Sequence, residues 1–178
     1  MFDRKVDQFK NGIFTWFIGE VKDINDTKNL NRVRVHAYGY YDGVVNNGDY
    51  PWATVMMPTT SASIKGNGGN HHLEVGSWVV GFFADGPSAQ DPIIMGSIAT
   101  QTPTGKVDKD NNPTYDQDIP TDASVDNKIH VSKAGHKIEI DNTDGTEQIR
   151  ITHKTGSYIK FLEDGTIEIK SLTKTRVI

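Results

Sequence analysis

Lys137-Ile-Glu-Ile-Asp141, Gln148-Ile-Arg-Ile-Thr152, Ser157-Tyr-Ile-Lys-Phe161 and Thr166-Ile-Glu-Ile-Lys170 follow one another in the last quarter of the chain, from Gly135 to Ser171. Each alternates apolar with polar residues, the period-two signature of a strand with one buried and one wet face. Between them lie Asp144-Gly145, Thr155-Gly156 and Asp164-Gly165, where glycine supplies the positive φ of a tight turn. Each strand offers two inward apolar residues: Ile138 with Ile140, Ile149 with Ile151, Ile159 with Phe161, and Ile167 with Ile169. A small sheet with so thin an apolar face needs another layer to close a core. The stretch therefore predicts burial against further copies of itself, with these residues as the inward row.

The remainder of the 178-residue chain is read against that segment. Hydrophobic residues make up 35% of it and the mean hydropathy is −0.52, enough for a modest core. An N-terminal signal pattern and an apolar run of membrane-spanning length are both missing, so the expectation is a soluble chain whose membrane role, if any, is mechanical. With no cysteine, disulfides and thiolate chemistry are excluded. The net charge of −4 is mild and evenly spread: residues 1–101 carry 8 basic and 10 acidic side chains, residues 102–178 carry 11 and 13. Neither part is a basic nucleic-acid footprint.

Residues 1–13 are polar with scattered apolar positions and read as an N-terminal arm or short helix. From Phe14 the text turns strand-like. Trp16-Phe-Ile-Gly-Glu-Val-Lys22 is rich in aromatic and β-branched residues, and Arg32-Val-Arg-Val-His-Ala-Tyr-Gly39 alternates cleanly. Pro51-Trp-Ala-Thr-Val-Met-Met-Pro58 is bracketed by prolines, which suit strand ends. Ser77-Trp-Val-Val-Gly-Phe-Phe-Ala84 is nearly all apolar and predicts a strand buried on both faces, and Pro92-Ile-Ile-Met-Gly-Ser-Ile98 supplies a fifth. Five strands without helical periodicity predict a small closed barrel of the OB type over residues 14–101. Its expected core is Trp16, Val33, Val35, Trp78, Val80 and Phe82. Residues 102–127, with six aspartates, two lysines and three prolines, predict an extended polar linker.

Chemistry is thin. Glycoside cleavage needs two carboxylates at a set separation, one in an apolar pocket. Glu139 and Glu168 alternate with isoleucines and should point to water, while Glu163 and Asp164 fall in a turn. No nucleophile-elbow motif marks a Ser-His-Asp hydrolase. Lys65-Gly-Asn-Gly-Gly-Asn70 lacks the Lys-Ser/Thr ending and following helix of a phosphate cradle, so it reads as a surface loop. His71, His72, His130, His136 and His153 are dispersed within one chain, and none shows a metal-ligand spacing. A threefold assembly could still gather three copies of one histidine on its axis. Trp16, Phe17, Tyr38, Tyr40, Tyr41 and Trp52 could stack bases, but a basic groove to hold phosphates is missing. No catalytic, cofactor or metal residue is assigned.

At this point the residues resemble a known family, the central spike proteins of contractile phage tails and the VgrG spikes of type VI secretion. The likeness in the barrel rests on Trp16-Phe-Ile-Gly-Glu-Val, Asn31-Arg-Val-Arg-Val, Pro51-Trp-Ala-Thr-Val-Met-Met-Pro, Gly76-Ser-Trp-Val-Val-Gly-Phe-Phe and Asp91-Pro-Ile-Ile-Met-Gly96. The C-terminal likeness rests on Gly135-His-Lys-Ile-Glu-Ile-Asp141, Gly145-Thr-Glu-Gln-Ile149, His153-Lys-Thr-Gly-Ser157 and Asp164-Gly-Thr166. It is strongest to the T-even-type spikes.

The resemblance implies an all-β chain: an OB-fold barrel, an extended linker, and from residue 128 to 178 the start of a needle in which strands of three chains form an intertwined β-helix. It implies a homotrimer beneath a trimeric baseplate hub protein, a PAAR-like tip protein, and mechanical contact with the host envelope on sheath contraction, without nucleic-acid binding. T-even-type spikes carry a lysozyme domain between barrel and needle. Residues 102–127 leave room for only 26 residues, so cell-wall cleavage does not carry over. The first barrel strand near residue 14 favours the phage arrangement with a separate hub over a VgrG fragment. The end soon after the fourth strand implies a short needle or a tip supplied by another protein.

Overall fold

The computed structural model describes residues 14–69, 72–117, 119–120 and 122–173. The expected N-terminal arm over 1–13 lies outside them, as does His71. The chain divides into two compact units between Ala99 and Thr100.

In the first unit, β1 (Trp16–Asp23), β2 (Val33–Ala37), β3 (Trp52–Val55), β4 (Trp78–Phe83) and β5 (Pro92–Ile98) close a barrel in the order β1-β2-β3-β5-β4. Neighbouring strands run antiparallel, except that β3 and β5 are parallel. β4 pairs back onto β1, so the cylinder has no open edge. Phe17, Val21, Val33, Val35, Ala37, Ala53, Val79, Phe83 and Ile94 fill its interior. The Phe17 and Phe83 rings lie 4.8 Å apart. Phe17 also covers Gly81, where a β-carbon would sit 2.7 Å from the ring and 2.3 Å from the Ile93 carbonyl oxygen. Tyr41 donates its buried hydroxyl to the Ala89 carbonyl, and burial, reinforced by the Asp85 charge, raises its pKa.

Two of the six expected core residues, Val33 and Val35, are fully buried. The other four are corrected by the structure. Trp16 is 57% exposed and Trp78 38% exposed, while Val80 and Phe82 are half-buried on the outside of the wall. The interior belongs to the opposite phase of β1 and β4: Phe17, Gly19 and Val21, then Val79, Gly81 and Phe83. Both phases of these strands are apolar, so period-two patterning cannot select a face, and a slip of one residue exchanges the two. Close approach decides it. A β-carbon at Gly19 would meet the His36 carbonyl oxygen at 2.5 Å, so glycines occupy the inward positions where strands crowd together.

The loop from β1 to β2 is organised by Asp26. Its carboxylate accepts from the Arg32 guanidinium at 2.7 Å and from the backbone N–H groups of Lys28 at 3.0 Å and Leu30 at 2.9 Å. The Arg32 bond is the largest cause, with backbone donors assisting, and the carboxyl is held well below the usual carboxylate range. A depressed folded-state pKa contributes stability above the unfolded value and loses it as pH falls toward the folded one. Asp26→Asn is therefore expected to lower the urea midpoint at about pH 7, with the gap to the parent closing as pH falls below about 4. An equal gap at about pH 7 and about pH 2.5 would show that the Asp26 charge does not hold the loop.

The second unit departs from its expected beginning. Where an extended linker was expected, β6 (Gln101–Val107) pairs antiparallel with β7 (Pro113–Gln117) in a hairpin. Asp108 makes the turn: Oδ1 accepts from the N–H groups of Asp110 and Asn112, both at 2.9 Å, and Asn111 adopts φ 63°. An Asx turn thus closes a hairpin from polar residues that carry no apolar pattern.

β8 (Asn127–Val131), β9 (Lys137–Asp141), β10 (Gln148–Thr152), β11 (Tyr158–Leu162) and β12 (Ile167–Lys170) form an antiparallel meander in chain order. The four alternating segments are all strands, and β8 is one more than the alternation predicts. Its phase is inverted: Lys128 and His130 pair with Ile140 and Ile138, while Ile129 faces Glu139 across the ladder. The turns use Gly135, Gly145, Gly156 and Gly165 at φ between 76° and 92°. These strands hydrogen-bond to one another within one chain, and among the described residues no further strand pairs with the outer edges of β8 and β12.

Candidate functional site

Cross-strand register sorts the isoleucines of the C-terminal sheet into two rows on one face. Ile140, Ile149, Phe161 and Ile167 stand opposite one another across β9 to β12, as do Ile138, Ile151, Ile159 and Ile169. All eight expected inward residues therefore share a face. Within one chain they are 41–67% exposed. Full burial of such side chains is worth about 1.5–3 kcal/mol each, so roughly 1 kcal/mol per side chain is still to be gained by covering them.

The opposite face is polar and partly paired, although Gln148 Oε1, Arg150 Nε and Thr152 Oγ1 are buried there without a hydrogen-bond partner. Glu139 is 7% exposed; it pairs with Lys137 at 3.2 Å and accepts from Asn127 Nδ2 at 2.9 Å. The Arg150 guanidinium lies 4.6 Å from the Tyr158 ring centroid, and Lys160 reaches Glu168 at 3.9 Å. At the turns, Asp141 accepts from the hydroxyl and N–H of Thr143, and Asp164 from the N–H of Thr166. Those bonds lower both carboxyl pKa values, Thr143 being the main cause for Asp141 and the Thr166 N–H for Asp164. An isolated sheet would bury its apolar side. Here the apolar side is open and the polar side is half-buried.

The same geometry shows how the acidic candidates are used. Glu139 and Glu168 are ion-paired on the polar face, and Asp164 caps a turn, so these carboxylates serve the sheet. His136 and His153 meet at one end of the apolar face with ring centroids 4.5 Å apart. Nδ1 of His136 accepts from the Lys154 N–H and Nδ1 of His153 from the Thr155 N–H, each at 3.3 Å. His153 Nδ1 also lies 2.8 Å from the Thr155 hydroxyl, so both rings are held by the turn that carries Lys154 and Thr155. Among the described residues, no group of three His, Cys, Asp or Glu side chains is placed to hold a metal ion.

On the barrel, the four residues displaced from the core join a second apolar surface. Trp16 pairs with Phe82 and Ile18 with Val80 on the outer side of β1 and β4. Phe14, Tyr38 and Tyr40 border them, and Phe14, Trp16, Ile18, Tyr38 and Tyr40 help line a hollow of about 590 Å³. The period-two reading missed this surface because it assigned those side chains to the interior. The arginines at the start of β2 stand at the other end of β1, opposite Asp23, and are engaged there. Arg32 pairs with Asp26, and Arg34 stacks on Trp52 at 4.4 Å and donates to the Gly48 and Tyr50 carbonyls. A single-strand binding face would need them turned toward phosphates.

A family model described as the Gp5 N-terminal OB domain matches residues 34–165, about three quarters of the chain and parts of both units. The pre-baseplate central spike protein Gp5 of Enterobacteria phage T4 is 38% identical over 79 residues. That alignment covers 39% of this chain and 14% of the phage T4 protein's length.

Proposed function

This chain belongs to the Gp5 N-terminal OB domain family, and we propose that it is a central spike component of a contractile phage tail baseplate, acting as a homotrimer. The observation that carries the proposal is the two-row apolar face of β9 to β12, too exposed for a finished chain and backed by a half-buried polar face. Three copies bury those rows on a common axis and offer the edges of β8 and β12 strands to pair with, forming the upper part of an intertwined β-helical needle. Residues from 128 onward build this needle, and the barrel carries it beneath a trimeric hub. Such a rod resists bending and unfolds slowly, since its strands have no open edge and its core lies between chains.

The role is mechanical. Sheath contraction drives the needle through the host envelope, with the point supplied beyond β12 by a PAAR-like tip protein. The hairpin of β6 and β7 occupies the stretch between barrel and C-terminal sheet, so cell-wall cleavage forms no part of the proposed role. Removing residues 128–178 is expected to leave a soluble barrel that sediments as a monomer while the full chain sediments as a larger assembly. Equal oligomeric states for the two would place the contacts elsewhere and contradict the proposal.

A further inference from the structure

The C-terminal sheet sorts its charge to opposite ends of its strands. In an antiparallel meander the turns alternate between those ends. The turns after β8 and β10, residues 132–136 and 153–157, hold Lys133, His136, His153 and Lys154 and no acidic residue, and β12 ends there with Lys170. The turns after β9 and β11, residues 142–147 and 163–166, hold Asp144, Glu147, Glu163 and Asp164 and no basic residue, with Asp141 closing β9 beside them. Between the ends the charges are mixed: Glu139 and Lys160 stand opposite Arg150, and Lys160 opposite Glu168. We propose that the two ends clasp, the basic end of one chain lying against the acidic end of a second copy, and so on around a closed assembly of three. This deepens the homotrimer reading and rests on it.

Two observations select a second copy as the partner. The first is the shape of the apolar face. Each row crosses four strands, about 14 Å at about 4.8 Å per strand, whereas the two rows stand two residues apart along each strand, about 7 Å. The apolar stripe is therefore longer across the strands than along them. A core continuing along a rod takes the long direction, so the strands cross the axis and their turns lie at the two sides of each chain's face. In a closed cyclic assembly those sides are the seams, and each seam joins two different sides rather than two alike. The second is unrelieved charge. Among the described residues, Asp141, Asp144, Glu147, Glu163 and Asp164 are in no ion pair, and Lys154 is exposed and in none either. Lys137, by contrast, is held by Glu139 and Asp122 of its own chain. The two basic turns also adjoin, since the Lys154 N–H donates to the His136 ring.

The levels match as well as the signs. Threefold symmetry sets the copies at one height, and the turns alternate along the meander. Lys154 then falls between the levels of the neighbouring copy's two acidic turns, about one strand spacing of 4.8 Å from each, with Asp144 on one and Glu163 on the other. A seam between two basic ends or two acidic ends would repel, so the clasp fixes the order and register of the chains.

The test is light scattering on the full chain through a urea series at low salt. Lys154→Glu is expected to lower the urea concentration at which half of the assembled mass is lost, and so is Asp144→Lys combined with Glu163→Lys. All three replacements together restore opposite charges at every seam and should recover most of that loss. At about 1 M salt, where the screening length is about 3 Å, the differences should shrink. Overall charge cannot mimic this pattern. The two lysines replace carboxylates and take the net charge from −4 to 0, which lowers general self-repulsion, yet the clasp predicts a weaker assembly. A trimeric parent whose reversal variants keep its midpoint, or whose triple variant recovers nothing, would overturn the clasp and leave the homotrimer standing. A monomeric parent would overturn both.

Discussion

Replacing Ile151 by aspartate is expected to abolish the assembly while leaving each chain folded. Ile151 sits mid-row, opposite Ile138 on one side and Ile159 on the other, and is 49% exposed in the single chain. A carboxylate there meets water in the monomer, and the β9-β10-β11 ladder is retained. In the trimer the same carboxylate would lie between chains without a partner. Burying a polar group unpaired costs on the order of 2–7 kcal/mol, and a charge more, incurred once per copy. That exceeds the roughly 1 kcal/mol per side chain that covering the face returns. Ile151→Val, which keeps the shape and loses one methylene, should cost only about 0.5–1.5 kcal/mol and still assemble. Light scattering on the three proteins separates the outcomes, with dichroism as the check on folding. An Ile151→Asp chain of parental mass would remove this face from the interface.

The second large effect belongs to the barrel. Gly81→Ala is expected to destabilise it by about 3 kcal/mol or more, because overpacking that a flexible side chain cannot absorb falls at the upper end of its range. The added carbon would lie 2.3 Å from the Ile93 carbonyl oxygen and 2.7 Å from the Phe17 ring, so backbone must move. Phe17→Ala, which empties the same position, should cost about 3–5 kcal/mol. Val80→Ala, one residue from Gly81 on the outer wall, should cost about 1 kcal/mol or less. Urea unfolding of the three variants measures the phase of β4 directly. A larger loss from Val80→Ala than from Phe17→Ala would restore the register in which Trp78, Val80 and Phe82 point inward.

That comparison marks where sequence patterning carries information. In Lys137-Ile-Glu-Ile-Asp141 only one phase is apolar, so both the strand and its apolar face could be read, and register later showed the eight residues together. In Trp78-Val-Val-Gly-Phe-Phe83 both phases are apolar, so the strand was legible and its orientation was not. Gly81 was the available clue, because a glycine between large residues marks an inward position where backbones crowd. The hairpin of β6 and β7 was hidden for another reason. Its strands are Thr-rich and polar, and the deciding element is one side chain, Asp108, capping the turn. β8 escaped because its alternation runs opposite to that of its neighbours, which places Lys128 and His130 at the end of the apolar rows. The aromatic face of the barrel went unread for the same reason as the core, since one error of phase produced both.

The central claim is that the C-terminal sheet is one third of a shared core. The native mass of the full chain, measured by light scattering at micromolar concentration, tests it most directly. Three chains of 19.7 kDa give about 59 kDa, and that is the expected value. A stable species of 19.7 kDa with its β-sheet dichroism intact would contradict it.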